Sequence, residues 1–333
     1  MSRRRIAIVG ATGMVGRMFL KVLEERKIDA DYTLFASKKS AGSVVECFGA
    51  PHTVEELKED SFVGRGFSYA LFSAGGSISE TFAPLAAAAG AIVIDNSSCW
   101  RMDPEVPLVV PEVNPHALRS IPKGIVANPN CSTIQAVVPL KALDDAYGLE
   151  RVIYSTYQAV SGAGQKGYQD LEDGLCGALP KKFPHPIAGN CIPHIDVFLD
   201  SGYTKEEQKM IDETRKILER PDLRVTATCV RVPVFHGHSE SINVECKRPF
   251  ELSDVFALLN KTEGVIVCDD PKNSVYPMPI EAAGTDPVYV GRIRRDFSVE
   301  NGLNFWCVAD NIRKGAATNA VQILEYLLKG ETK

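Results

Sequence analysis

The 333-residue sequence predicts an α/β protein of two domains, because a chain of this length exceeds one ordinary core. Two textures divide it. The first half carries short apolar runs without alternation, spaced by helical patterns, as parallel strands covered on both faces do. The second half carries longer runs with partial alternation. These suit a mostly antiparallel sheet with one face left to solvent or a partner.

The first run, RIAIVG at residues 5–10, has strand length and is rich in β-branched residues. GATGMVG follows, and a helical pattern begins at Val15, with Phe19, Leu20, Val22 and Leu23 on one broad apolar face. Glycines 10, 13 and 16 thus sit between a strand and a helix. Gly10 permits the tight turn, Gly13 lets a phosphate approach backbone N–H groups, and Gly16 lets the helix pack close to the strand. The helix start then offers unpaired N–H donors and a positive dipole end to a pyrophosphate. This context predicts a Rossmann-type dinucleotide-binding domain. The next strand, residues 32–37, ends in SKKSAG rather than in Asp or Glu. An acid there would repel a ribose 2′-phosphate, whereas Ser37, Lys38, Lys39 and Ser40 would accept one, so NADP(H) is predicted over NAD(H). Further strands are predicted at 69–76, 91–98, 108–113 and 124–130, with Gly, Ser and Asn at the carboxyl ends where such sheets bind ligands.

Cys131 lies at one of those ends, in ANPNCST. A helix is predicted next, capped by Ser132 or Thr133 and ended by Gly148, with Pro139 expected to kink or divide it. A thiol at a helix N-terminus has its thiolate stabilised, which is the physical case for a nucleophile. The alternative is a small buried hydrophobe, the reading given to Cys229, Cys246, Cys268 and Cys307 in their apolar runs. On helix-start geometry alone the two readings of Cys131 stay open.

Downstream strands are predicted at 223–234, 238–249, 264–270, 288–296 and 304–311, with helices at 205–220 and near the C-terminus. Arg231, flanked by Val230 and Val232, is expected to point away from the core, where a guanidinium suits bidentate capture of a carboxylate. His238 suits proton transfer near neutral pH. His236-x-His238 and Cys191-x-x-His194 are fragments of a metal pattern without a second half, so no metal is predicted.

The composition excludes several classes. No apolar run reaches the ~20 residues of a membrane helix, and MSRRR runs straight into a strand, so neither membrane span nor signal peptide is read. Nine cysteines, an odd number spread through apolar segments, do not read as a disulfide framework, and a cytoplasmic setting fits. A formal net charge of −5 argues against nucleic acid as the main partner.

GATGMVG, SAGGSIS, IDNSSCWRMD, PEVNPHAL, ANPNCSTIQ, STYQAVSGAG, EEQKMIDETRKIL, CVRVPVFHGHSES and DNIRKGAA occur in the order found in aspartate-semialdehyde dehydrogenases, a resemblance over essentially the whole chain. It implies a Rossmann-type NADP-binding domain at 1–131, completed by the C-terminal helix 312–333. The rest, 132–311, would be an α+β catalytic and dimerisation domain with a mostly antiparallel mixed sheet. It implies NADPH-dependent reduction of L-aspartyl 4-phosphate to aspartate 4-semialdehyde, on the routes to lysine through diaminopimelate, threonine, methionine and isoleucine. By the same resemblance Cys131 is the nucleophile, His238 the general acid/base that protonates the developing oxyanion, and Gln158 the residue orienting the acyl intermediate. Arg231 binds the substrate carboxylate, Arg101 and Lys209 the phosphate, with Glu206 at the substrate amine and Asn130 at the substrate. Thr12, Gly13, Met14 and Val15 hold the pyrophosphate, Lys39 and Ser40 the 2′-phosphate, and Ser161, Gly162 and Asn311 make later cofactor contacts. A homodimer is implied, with tetramers in some members. Cys99 and Trp100 depart from the family pattern, where a small residue and Phe precede the arginine. The rival readings are a related acyl-phosphate reductase acting on N-acetyl-glutamyl phosphate or glyceraldehyde 3-phosphate, a thiol hydrolase, and a Rossmann-type protein with no chemistry.

Overall fold

In the computed structural model, which describes residues 3–330, the first apolar run forms β1 (Arg5–Val9), buried from Ile6 onward. The chain separates into two units, one of residues up to 129 together with those from 316, the other of residues 130–315. The first break falls just before Cys131 rather than after it. Cys131 is the first residue of a helix that packs within the second unit.

In the first unit β1 leads to α1 (Met14–Glu25) and β2 (Asp31–Ala36). A small hairpin, β3 (Val44–Cys47) with β4 (Ala50–Thr53), and the two-residue β5 (Glu55–Glu56) follow. Then come β6 (Tyr69–Phe72), α2 (Gly76–Ala88), β7 (Ile92–Asp95) and β8 (Ile125–Ala127). The sheet order is β5-β2-β1-β6-β7-β8, with every pair parallel. Chain order reverses between β1 and β6, so a ligand crevice falls at their carboxyl ends.

The strand expected at 108–113 does not form; only Leu108 makes a parallel bridge, to Ala127. Pro111 has no donor for a ladder. The side chain of Asn114 takes the ladder's place, accepting from Val110 N at 3.0 Å and donating to the Leu108 carbonyl at 2.9 Å.

In the second unit α3 (Cys131–Tyr147) precedes β9 (Leu149–Gln158), α4 (Gln165–Leu175) and α5 (Lys205–Ile217). Then come β10 (Arg224–Arg231), β11 (His238–Cys246), α6 (Leu252–Lys261) and β12 (Val265–Val267). The short α7 (Pro279–Ala282), β13 (Val288–Asp296) and β14 (Gly302–Ala309) complete it. The sheet order is β10-β9-β11-β14-β13-β12. Its three inner pairs are antiparallel and its two outer pairs parallel, a mixed sheet. Helices α3, α5 and α6 cover one face. On the other, Tyr157 and Trp306 rings lie 5.4 Å apart and Tyr157 is 39% exposed.

Two expectations about α3 are corrected. Its cap is Asn130, whose side chain accepts from Ser132 N and Thr133 N at 3.0 and 3.3 Å, so neither Ser132 nor Thr133 caps it. The Asx side chain one residue earlier reaches both orphan donors. Pro139 does not divide the helix. Its missing N–H strands the carbonyl of Gln135, and the Cys307 thiol from β14 meets that oxygen at 3.6 Å.

After Arg313–Thr318, a π-helical stretch, α8 (Asn319–Gly330) buries Ala320, Val321, Ile323 and Leu324 in the first unit. Arg26 pairs with Glu325 at 2.8 Å there, and Gln322 donates to Glu112 at 2.7 Å.

Candidate active site

Gly10 has a positive φ of 86°, and a Cβ there would lie 2.3 Å from the Ser73 carbonyl oxygen, at the end of the neighbouring β6. A Cβ on Gly16 would lie 2.1 Å from the Gly10 oxygen. Both positions therefore exclude a side chain, and the pair fixes how closely α1 meets the turn. Gly13 is the N-cap of α1 and offers no side-chain cap, which leaves the first-turn N–H groups to a ligand. This cradle fits a pyrophosphate. Thr12, Met14 and Val15 lie within it. Lys38 and Lys39 are exposed in the turn after β2, followed by half-buried Ser40, and β2 ends in Ala36, with Ser37 next, without an acid.

Arg101 also belongs to the first unit. It is buried, with Nε donating to the Asn128 carbonyl at 2.9 Å and Nη2 to the Asn96 carbonyl at 3.0 Å. Trp100, one of the two departures, donates to the Ser79 hydroxyl at 3.1 Å. Cys99 is half-buried beside Asp95 and Glu80, and its backbone N–H donates to the Ser97 hydroxyl.

The second unit gathers Cys131, Gln158, Glu206, Lys209, Arg231 and His238 into one connected cluster. Cys131 Sγ lies 3.2 Å from His238 Nε2. The opposite ring nitrogen of His238, Nδ1, accepts the backbone N–H of Ala159 at 3.0 Å. The Ala159 carbonyl in turn accepts Arg231 Nη1 at 2.6 Å. One peptide residue thus ties the histidine to the arginine.

Arg231 is buried, against the expectation that it faces away from the core. β10 is an edge strand, but Ile192 bridges Arg231 in both directions, donating at 2.9 Å and accepting at 2.8 Å, and closes that edge. The guanidinium stands 5.9 Å over the Phe183 ring. Burial leaves it less basic than a free arginine. His238 also departs from the near-neutral proton carrier the sequence suggests. Full burial, aided by the Arg231 charge, depresses its pKa to about 3, with Glu206 opposing.

Glu206, on the first turn of α5, accepts from Asn130 Nδ2 at 2.8 Å, Gln158 Nε2 at 3.1 Å and Lys209 Nζ at 3.1 Å. Burial opposes its ionisation. The Lys209 charge and the three donors outweigh burial and hold the carboxyl down at about 2. Lys209 is shared with Asp196 at 2.8 Å, and its ammonium is stabilised above the usual lysine range although burial works against it. The side chain of Asn130 is committed to the α3 cap and to Glu206. Ser161 and Asn311 hydrogen-bond one another at 3.0 Å, and Asn311 accepts from Gly237 N at 2.9 Å. A Cβ on Gly162 would lie 2.9 Å from Arg231 Nη1 and 3.2 Å from His238 Nε2. Only glycine keeps that space open.

Several contributors escape the sequence reading. Glu213 accepts from Asn130 N at 2.6 Å. It lies seven residues after Glu206, on the same face of α5, and that spacing was a usable signal. Gln135 Nε2 donates to the His238 carbonyl at 3.2 Å, and Gly315 leaves room beside the Cys131 Cβ. Ala159 acts through its backbone, and no residue type advertises that. Among the described residues no three His, Cys, Asp or Glu cluster so as to hold a metal ion.

A dinucleotide cradle on one unit, and on the other a helix-start thiol against histidine and arginine, are the parts that a dehydrogenase working through an enzyme thiol requires. A family model described as the semialdehyde dehydrogenase NAD-binding domain matches residues 5–121, and one described as the semialdehyde dehydrogenase dimerisation domain matches residues 140–314. The chain is 58% identical over 335 residues to the aspartate-semialdehyde dehydrogenase of Aquifex aeolicus strain VF5, covering 98% of each. It is similar to the crystal structure of aspartate semialdehyde dehydrogenase II from Vibrio cholerae complexed with ASA. The TM-score there is 0.95 and the identity 46%, over 99% of both chains. A structure of the enzyme with NADP from Candida albicans matches at TM-score 0.74 and 25% identity over 98% of both. The chain belongs to the aspartate-semialdehyde dehydrogenase family. It is an α/β oxidoreductase of that family, and its second unit carries the family's dimerisation domain, which fits a homodimer.

Proposed function

We propose that the chain reduces L-aspartyl 4-phosphate to L-aspartate 4-semialdehyde with NADPH, releasing phosphate, through a thioester on Cys131. The observation that carries this is the 3.2 Å contact of Cys131 Sγ with His238 Nε2 at the N-terminus of α3, where negative charge on sulfur is favoured. The thiolate attacks the acyl carbon, a C–S bond forms, and the C–O bond to phosphate breaks. NADPH, when bound, supplies the hydride that brings the thioester to the aldehyde level. Cys131 then leaves as the thiolate.

The remaining residues divide by charge. Arg231, rigid through Ala159, takes the substrate carboxylate. Glu206, ionised in a buried setting, takes the ammonium, and Gln158 beside it orients the acyl group. Lys209 and Arg101 take the phosphate, with Asn130 holding Glu206 for the substrate. Residues 10–16 hold the pyrophosphate, Lys39 and Ser40 the 2′-phosphate, and Ser161, Gly162 and Asn311 the remaining cofactor contacts. The half-exposed face with Tyr157 and Trp306 is the surface we assign to the homodimer. All nine cysteines are thiols rather than disulfides, which supports a cytoplasmic setting.

The test is phosphate-dependent NADP+ reduction with aspartate semialdehyde. Turnover is expected in the wild type and loss with Cys131→Ser, NADPH binding being retained. Activity only with glyceraldehyde 3-phosphate or the acetylglutamyl analogue would refute the assignment.

A further inference from the structure

Arg231 is held at both ends by one stretch of chain. Its backbone makes the two-way bridge to Ile192, and its guanidinium stands over the ring of Phe183. Both partners come from residues 176–204, which connect α4 to α5 without a helix or strand. A small apolar core anchors part of this connection, with Phe183 packed against Val160, Leu171, Ile187 and Ile192. Gly167 of α4 lies close by, since a Cβ there would come 3.1 Å from Phe183 Cζ.

With no ladder to take them, the backbone N–H groups of such a connection need other partners. Asp170, buried on α4, takes three in succession. Its Oδ1 accepts Lys181 N at 2.9 Å, and its Oδ2 accepts Lys182 N at 2.7 Å and Phe183 N at 2.8 Å. Burial works against the charge, but the three donors, with a smaller share from the Lys181 charge, outweigh it and hold the carboxyl below its usual range. Both lysine side chains are exposed, and Lys181 places its ammonium on Asp173 at 3.1 Å. Asp170 therefore shapes the backbone that carries Phe183 and forms no close ion pair with the lysines.

The consequence falls on Arg231. A buried cation needs compensation. Here it has the Ala159 carbonyl on Nη1 and the π face of Phe183. Neither neutralises the guanidinium, whose charge stays available to a substrate anion. We infer that Asp170 is a positioning residue for substrate recognition: by capturing the backbone at residues 181–183 it seats the Phe183 ring against the Arg231 guanidinium, and so sets where the substrate α-carboxylate binds. This rests on the reading above in which Arg231 takes that carboxylate.

The experiment is the steady-state kinetics of phosphate-dependent oxidation of aspartate semialdehyde by NADP+ in Asp170→Asn, Phe183→Leu and Arg231→Lys. Asp170→Asn keeps the shape and turns one acceptor into an NH2 facing backbone donors. Phe183→Leu keeps an apolar side chain and removes the ring face. The α-carboxylate does not react, so a displaced anchor weakens substrate and transition state alike. In each of these two variants KM for the semialdehyde is expected to rise about 10-fold, with kcat within about 3-fold and KM for NADP+ within about 2-fold of wild type. Arg231→Lys has no planar fork to seat on the ring, so adding Asp170→Asn to it should change KM by less than about 2-fold further. Wild-type KM in either folded variant overturns the inference, as does an Asp170→Asn effect undiminished in the Arg231→Lys background. If Asp170→Asn does not fold, Phe183→Leu and its own cycle with Arg231→Lys decide. Wild-type KM in Arg231→Lys is a different failure: it sinks the carboxylate assignment of Arg231 in the function proposed above, and this inference with it.

Discussion

The Cys307 thiol on β14 donates to the Gln135 carbonyl of α3 at 3.6 Å, on the oxygen that Pro139 leaves without its helical partner. A helix break and a buried cysteine, which look unrelated in the sequence, complete one another in the fold. Cys307→Ala is expected to destabilise by ~1–2 kcal/mol, since it removes a buried sulfur and orphans a carbonyl. Adding Pro139→Ala restores an N–H to Gln135 and should shrink that cost. A double-mutant cycle by denaturant unfolding reads the coupling, and strict additivity would show that the two sites are independent.

The glycine turn yields a sharper outcome. Gly16→Ala places a Cβ 2.1 Å from the Gly10 oxygen, a backbone atom that cannot swing aside. The helix start must move off the strand. NADPH affinity is expected to fall at least about 10-fold, with a stability loss of ~2 kcal/mol or more from overpacking. A fluorescence titration that finds wild-type affinity would remove this turn from the cofactor site.

For the choice of cofactor, Lys39→Glu reverses a charge in an exposed turn. Its effect should fall on NADPH, with roughly a 10-fold or greater loss of affinity, and spare NADH, because only the former carries the 2′-phosphate. Equal losses for both would place the 2′-phosphate elsewhere. The measurement is the ratio of kcat/KM for the two coenzymes.

How much of this was legible follows from which physics each feature obeys. The run at 5–10, the turn at Gly10 and α1 are local: strand length, glycine conformation and helical period fix them within a few residues. The strand at 108–113 misled because its apolar content reads as a strand, whereas Pro111 and the side chain of Asn114 divert its hydrogen bonds. Arg231 misled because alternation within β10 says nothing of Ile192, some forty residues earlier, sealing the edge. Cys131 is ambiguous in the sequence because His238, which stands against it in the fold, lies more than a hundred residues away. The Ala159 amide was invisible, because a backbone donor leaves no mark in residue type.

Glu206 sets an acid limit on stability. Its folded pKa is depressed, to about 2, so its contribution is fully present above the unfolded value near 4.5 and is lost as pH falls through that window toward 2. The linkage amounts to at most about 3 kcal/mol. Glu206→Gln keeps the shape and removes the titration. Its unfolding free energy should fall less steeply than wild type between pH 4.5 and 2. KM for the semialdehyde should rise at neutral pH, since Lys209 keeps Asp196 but the buried anion is gone. Parallel pH profiles for the two proteins would rule out a depressed Glu206.

Glu240 works with the opposite sign. It lies two residues along β11 from His238, fully buried, and neither carboxyl oxygen has a hydrogen-bond partner among the described residues. Burial alone pushes its pKa far up, so the folded chain keeps it protonated while the unfolded chain ionises it above about 4.5. The unfolded state then binds fewer protons than the native one, and stability falls with rising pH by roughly 1 kcal/mol per unit until the folded carboxyl itself titrates. Glu240→Gln places a neutral group of the same shape there. It should match wild type near pH 4, exceed it increasingly toward pH 8, and leave turnover at the cluster of Cys131 and His238 within about 3-fold, as expected of a residue that touches neither nucleophile nor substrate. Urea unfolding at a series of pH values decides it. A Gln variant less stable than wild type at pH 8 would mean that Glu240 is ionised and paired in the folded protein.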